Sequence, residues 1–147
     1  MRKRIFLLSV LLSFLTFNSS SAETQKSFWG DNRDNDSYFQ CGTTIKDTDK
    51  IIELYILNLG NKYAIFDKKQ FDRLEILSEY NLYAVLPVKD EIVIINPDDP
   101  VSIKFPLPAR YPGGPPIDID KIKQIKVIFD QKNLEITLEP KKPEKKK

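Results

Sequence analysis

The sequence predicts an all-β fold with at most one or two short helices, built as a single antiparallel β-barrel or β-sandwich. Three observations predict this class. Short runs of β-branched and aromatic residues recur from residue 38 onward, turn-forming residues separate these runs, and no long segment has a helical period. We expect about eight or nine short strands connected mostly by hairpins.

The first 22 residues have the three-part pattern of a secretory signal peptide. Residues 2–4 are all cationic, residues 5–17 form an apolar run, and Ser20 and Ala22 are the small residues that precede a cleavage bond. A transmembrane helix needs about 20 apolar residues, so this run is too short to remain as an anchor. We expect cleavage after Ala22, a periplasmic or secreted location, and no transmembrane segment in the mature protein.

Composition divides the rest of the chain into three parts. Residues 23–37 are polar and lack a hydrophobic period, which predicts a flexible leader. Residues 38–140 hold the predicted strands and form the β domain. Residues 141–147 contain five lysines and predict a disordered, solvated tail.

The first half of the β domain predicts three strands. Residues 38–45 form the first, and a polar turn leads into residues 51–59. That second strand is the most apolar, so we expect both of its faces to be covered. The pair Gly60 and Asn61 predicts a tight hairpin into a third strand at residues 63–66.

The second half predicts further hairpins. Residues 125–129 and 134–138 alternate apolar and polar side chains about a turn, which is the clearest two-residue period in the sequence. Residues 71–80 and 117–128 also carry apolar residues at three-residue spacing, so a short helix in either segment stays open. The remaining predicted strands are residues 74–80, 82–88, 91–95 and 101–105.

Composition also excludes several chemistries. Histidine is absent, which removes Ser-His-Asp and Cys-His nucleophile arrangements and histidine-ligated metal sites. We expect no metal or other cofactor. The single cysteine, Cys41, cannot close an intramolecular disulfide and is expected to be a buried apolar residue on a strand. Loss of the signal peptide lowers the net charge from +2 to −1, and a body of that sign disfavours nucleic-acid binding.

The loop at residues 105–116 contains five prolines, which remove backbone donors and stiffen the chain. Arg110 and Tyr111 lie at its middle, and both residue types are enriched at binding hot spots. The segment also resembles the Ala-Arg-Tyr-x-x-Gly loop of periplasmic inhibitors of c-type lysozyme, because Ala109, Arg110, Tyr111 and Gly114 match it. The serine-rich half of that loop and the second cysteine of those inhibitors are missing here, so we do not assign the family.

Three functions follow from these observations. The first is a non-enzymatic module that binds another protein or an envelope component through the Pro-rich loop, with Arg110 and Tyr111 as contacts. The second is a barrel that carries a small apolar ligand lined by Trp29, Tyr55 and Tyr63. The third is a hydrolase that uses carboxylates, although the acidic residues are scattered among turns, where turn formation explains them.

Overall fold

The structure is a computed structural model that describes residues 24–34, 37–79 and 81–142. The predicted signal peptide (1–22) and residues 143–147 of the predicted tail lie outside the described residues. The described part contains ten strands and three single-turn 3-10 helices, and no α-helix. The strands are β1 (Gln25–Asp34), β2 (Ser37–Lys46), β3 (Ile51–Asn58), β4 (Ala64–Phe66), β5 (Arg73–Ser78), β6 (Leu82–Val85), β7 (Val93–Ile95), β8 (Val101–Pro106), β9 (Ile122–Phe129) and β10 (Leu134–Pro140).

Eight strands form one antiparallel sheet that is nearly closed into a barrel, in the order β6-β5-β9-β10-β1-β2-β3-β8. This confirms the predicted antiparallel all-β fold and identifies the barrel as its form. The edge strands β6 and β8 face the remaining gap, where the Val88 N–H donates to the Lys104 carbonyl at 2.8 Å. The other two strands, β4 and β7, pair into a small separate sheet.

The barrel interior is filled by side chains from alternate positions of the strands. The ring of Phe39 stacks on that of Phe129 with centroids 5.5 Å apart. Phe66 of β4 meets Phe105 and Phe129 edge-on at centroid distances of 5.9 and 5.3 Å, so the small sheet is anchored in the main core. Cys41 is fully buried on β2, as predicted, and burial raises the pKa of its thiol above its usual value.

Two predicted hairpins are confirmed, β5 with β6 and β9 with β10, and β2 pairs with β3 across the predicted polar turn. A single-turn 3-10 helix and Asn133, which has a left-handed φ of 49°, make the last reversal. Of the two segments that left a helix open, residues 71–80 contain β5, and residues 117–128 contain one 3-10 turn at Ile119–Lys121 before β9. No helix in the described residues is both long and apolar enough to cross a membrane.

The predicted flexible leader is wrong, because residues 25–34 form the strand β1. It pairs with β2 along its whole length, from Gln25 opposite Lys46 to Asp34 opposite Ser37, and with β10 on its other side. Phe28 is its one fully buried hydrophobic side chain. A strand with a single large apolar residue facing the core has no two-residue hydrophobic period, so local pattern could not reveal it.

The predicted hairpin between β3 and β4 is also wrong. β3 pairs with β2 and β8, whereas β4 pairs with β7. The cause is Asn58, which ends β3 with a fully buried carboxamide. Its Nδ2 donates to the carbonyls of Lys62 at 2.8 Å and Ile95 at 3.0 Å, and its Oδ1 accepts from the Gly60 N–H at 2.9 Å. These bonds direct the chain away from β3 and toward β7.

The prediction that both faces of β3 are covered is correct only for its end. Leu57 and Asn58 are buried there, but Glu53 and Tyr55 are half-buried and Ile51 is exposed. Alternation therefore persists along the first part of the strand, because its outer face meets solvent rather than a second layer.

We predict that Gly30→Ala strongly destabilises the protein. A Cβ at this position would lie 2.0 Å from the carbonyl oxygen of Thr137, so β1 would have to move away from β10. Urea denaturation should show a loss of more than about 2 kcal/mol in the free energy of unfolding. Asp31→Ala, in the next and exposed position, is the control and should change it by less than about 0.5 kcal/mol. Equal effects of the two substitutions would contradict the placement of β1.

Candidate functional site

The Pro-rich loop lies at the end of the barrel where β1 begins, β2 turns into β3, β8 ends and β9 begins. A groove of about 700 Å³ opens there, which we call the acidic groove. Its volume is within the range of ligand-binding clefts. The residues that line it are Thr24, Asp47, Thr48, Asp49, Lys50, Leu107, Pro108, Ala109, Pro116, Ile117, Asp118, Ile119 and Asp120.

Carboxylates dominate the charge of this groove, since four aspartates face one lysine among its lining residues. Two of them are fixed by their own turns. Asp49 Oδ2 accepts from the Lys46 N–H at 2.9 Å, and Asp118 Oδ1 accepts from the Asp120 N–H at 3.0 Å. A further side chain, Lys26, donates from Nζ to the carbonyl of Asp120 at 3.1 Å and so holds that rim against β1. The groove combines a negative rim with an apolar wall.

The Pro-rich loop is held in shape by its own backbone hydrogen bonds. The Ile117 N–H donates to the Ala109 carbonyl at 2.9 Å, the Tyr111 N–H to Pro115 at 3.1 Å, and the Gly114 N–H to Tyr111 at 3.0 Å. Gly113 supplies the left-handed φ of 64° that this reversal requires. The loop is therefore an ordered wall of the groove rather than an extended finger.

Tyr111 is buried, which contradicts its prediction as a contact residue. Its ring packs edge-on against that of Tyr83 on β6, with centroids 6.3 Å apart. Its hydroxyl is buried and has no hydrogen-bond partner among the described residues. The residue type suggested a binding hot spot, but here the side chain anchors the loop to the barrel.

Arg110, the second predicted contact residue, is exposed on the same loop and makes an isolated β-bridge with Pro116. It does not line the acidic groove. The two neighbouring residues therefore differ in exposure. The Arg110 side chain lies at the surface, and the buried Tyr111 side chain supports the loop.

The three aromatic residues predicted to line a ligand cavity lie in different parts of the barrel. Trp29 and Tyr55 both lie opposite Gly42 in strand register, on the half-buried outer face of the sheet. Burial, together with the charge of Glu53 and a hydrogen bond to it, raises the pKa of Tyr55 to about 12. Strand alternation turns the neighbours of Trp29 and Tyr55, rather than these two side chains, toward the core. Tyr63 lies at the end of the barrel opposite the acidic groove.

That opposite end carries a second cleft, of about 760 Å³, beside the small sheet. We call it the amide cleft because four carboxamide side chains line it. Tyr63 is 61% exposed on its wall, and the buried ring of Phe129 forms its floor. The lining residues are Asn61, Lys62, Tyr63, Ile65, Gln70, Asp72, Asn96, Pro97, Phe129, Gln131 and Lys132.

The side chain of Asp72 connects three segments around the amide cleft by hydrogen bonds. Its Oδ2 accepts from the Asp67 N–H at 2.8 Å and its Oδ1 from the Asp130 N–H at 2.8 Å, although the residue is only 3% exposed. Burial raises the pKa of this carboxyl, and the two N–H donors counteract part of that rise. Both oxygens are engaged in structural bonds, which makes Asp72 a brace between loops.

Sequence reasoning noticed the aspartates of both loops but interpreted them as turn formers. Asp49 and Asp118 do stabilise turns, yet they also meet across the acidic groove from segments about 70 residues apart, a juxtaposition that no local pattern displays.

Within the described residues, no group of three or more acidic or cysteine side chains is placed to hold a metal ion. No protein family, curated protein or solved structure matches this chain.

We predict opposite effects for two substitutions of Tyr111. Tyr111→Ala should lower the free energy of unfolding by about 3 kcal/mol, because it removes a buried ring. Tyr111→Phe should leave it unchanged or raise it, since the lost hydroxyl is buried without a partner. Arg110→Ala is the exposed control, with an expected change within about 0.5 kcal/mol in urea denaturation. A Tyr111→Ala variant as stable as Arg110→Ala would contradict the anchoring role.

We also predict that Asp72→Ala destabilises the protein by at least about 2 kcal/mol, because two backbone N–H groups lose their acceptor. Asp90→Asn is the matched control: its carboxylate pairs with Lys68 at 3.0 Å but is 82% exposed, and exposed pairs contribute little. Thermal or urea denaturation measures both. A tolerated Asp72→Ala substitution would show that the loops do not depend on this carboxylate.

Proposed function

We propose that this chain is an exported, non-enzymatic binding domain that holds a basic segment of another protein in the acidic groove beside the Pro-rich loop. The observation that carries the proposal is the meeting of four aspartates around a groove whose wall is apolar. Export follows from the signal-peptide pattern of residues 1–22. The Pro-rich loop remains the binding element. It forms one wall of the groove that receives the partner, instead of inserting into a cleft of the partner.

The chemistry of the groove favours a segment that alternates cationic and apolar residues. Lysine or arginine side chains can pair with the rim, while apolar side chains lie against Leu107, Pro108 and Ile117. Exposed ion pairs each contribute only about 0.2–1 kcal/mol, so burial of apolar surface supplies most of the affinity. The carboxylates then determine which partner binds and how fast it associates. Arg110, beside the groove, can pair with an acidic residue that flanks the basic segment.

The order of the loop supports binding as well. Its prolines and three backbone hydrogen bonds fix the wall before any partner arrives, so little conformational entropy is lost on association. A general-acid carboxyl is usually desolvated, whereas the groove carboxylates of Asp47, Asp118 and Asp120 are exposed. This favours binding over hydrolysis. The carrier hypothesis is disfavoured because its three aromatic residues are not among the buried side chains of the barrel core.

The test is a titration of the purified protein with a short synthetic peptide of alternating lysine and leucine, followed by isothermal calorimetry. The double variant Asp47→Asn/Asp120→Asn should weaken binding by at least ~10-fold, which corresponds to about 1.4 kcal/mol. The control Asp90→Asn/Asp99→Asn removes the same charge from exposed sites outside the groove and should change affinity by less than ~2-fold.

A peptide in which serine replaces each leucine separates the two contributions and should bind more weakly to the wild type. Equal losses in the two double variants would mean that the peptide responds to net charge alone, which would overturn the proposed site. Failure of the lysine–leucine peptide to bind at about 1 mM would also overturn it.

A further inference from the structure

The amide cleft, at the end of the barrel opposite the acidic groove, is braced by two buried polar side chains. Asn58 bonds to Lys62 and Ile95, and Asp72 bonds to Asp67 and Asp130. Burying a carboxamide and a carboxylate costs free energy unless each is fully bonded. Here both are bonded to backbone groups of separate loops, so the cleft walls are fixed in advance of any ligand.

Four carboxamides on these walls have unused hydrogen-bonding capacity. In the part of the chain that the structure describes, none of their side chains has a hydrogen-bond partner. Each offers two N–H donors and one carbonyl acceptor on a planar group. That combination suits vicinal hydroxyls, which donate and accept at once. The four residues are Asn61, Gln70, Asn96 and Gln131.

The cleft also contains an exposed aromatic ring and two cations. Tyr63 presents a flat apolar face beside Ile65, and a pyranose ring has a C–H face that packs on such a surface. Lys62 and Lys132 are exposed at the rim, and the one carboxylate among the described lining residues, Asp72, has both oxygens engaged. Two exposed cations and one buried carboxylate give this lining a net positive charge, which favours a ligand that carries negative charge.

We infer that the amide cleft binds an anionic oligosaccharide, with Tyr63 as the stacking platform, the four carboxamides as hydroxyl ligands, and Lys62 and Lys132 as partners of its acidic groups. A purely apolar ligand would bury the carboxamides without hydrogen bonds, which is unfavourable. This site is separate from the acidic groove, and the inference does not depend on the proposed function. Together the two sites would allow the domain to join a protein segment to an acidic glycan.

The experiment is a calorimetric titration with an oligogalacturonate and with its methyl-esterified counterpart, which has the same sugar rings without the charge. Tyr63→Ala should weaken oligogalacturonate binding by at least ~10-fold. Phe71→Ala is the control, because Phe71 is an equally exposed aromatic residue near the cleft that does not line it. Circular dichroism melts confirm that both variants remain folded.

The charge requirement is tested with Lys62→Gln/Lys132→Gln, which should remove the preference for the charged oligosaccharide. Lys69→Gln/Lys123→Gln removes two exposed lysines outside the cleft and should keep that preference. The groove variant Asp47→Asn/Asp120→Asn should bind oligogalacturonate as the wild type does. Failure of one proposal can therefore be distinguished from failure of the other.

Three results would overturn the inference. The first is the absence of oligogalacturonate binding at about 1 mM. The second is binding that Tyr63→Ala leaves unchanged. The third is tighter binding of an acidic peptide than of any oligosaccharide, with the same dependence on Tyr63, which would assign the cleft to a protein partner.

Discussion

The close approach of β1 to β10 is the contact on which this barrel depends. Gly30 has no Cβ, so its backbone can lie against the Thr137 carbonyl. The Cβ of any other residue at position 30 would overlap that carbonyl. β1 thereby joins β6-β5-β9-β10 on one side to β2-β3-β8 on the other. Without it the sheet would break into two smaller sheets with two additional unpaired edges. The acidic groove depends on it too, since Thr24 precedes β1 and Lys26 holds the Asp120 carbonyl.

Polar side chains, rather than further apolar packing, shape the two ends of the barrel. At one end, aspartates fix turns and remain exposed around the acidic groove. At the other end, Asn58 and Asp72 are buried and form hydrogen bonds with loop backbones. The neighbouring carboxamides face the cleft. Because an antiparallel barrel places its turns at two opposite rims, one core supports two clefts that share no lining residue.

Sequence pattern predicted the elements whose information is local. β9 and β10 largely alternate about a short turn, with Ile128 the apolar exception on the outer face, and their inward residues are those of the core. β1 escaped prediction because Phe28 is its one fully buried hydrophobic side chain, so the strand has no two-residue hydrophobic period even though it pairs with β2 along its whole length. The β3–β4 hairpin failed because turn chemistry at residues 60–61 does not reveal what the Asn58 side chain binds. For the site, residue type identified the Pro-rich loop but could not show that Tyr111 points inward.

We propose that a basic partner binds in the acidic groove, which the Pro-rich loop bounds. Backbone amide shifts followed by NMR during titration with the lysine–leucine peptide test it most directly, because they locate contact residue by residue. We expect saturable shifts confined to the backbone amides of residues 47–50, 107, 109 and 117–120, with the amides of the amide cleft unmoved. Shifts spread evenly over the charged surface, or centred on residues 61–65 and 131–132, would contradict it.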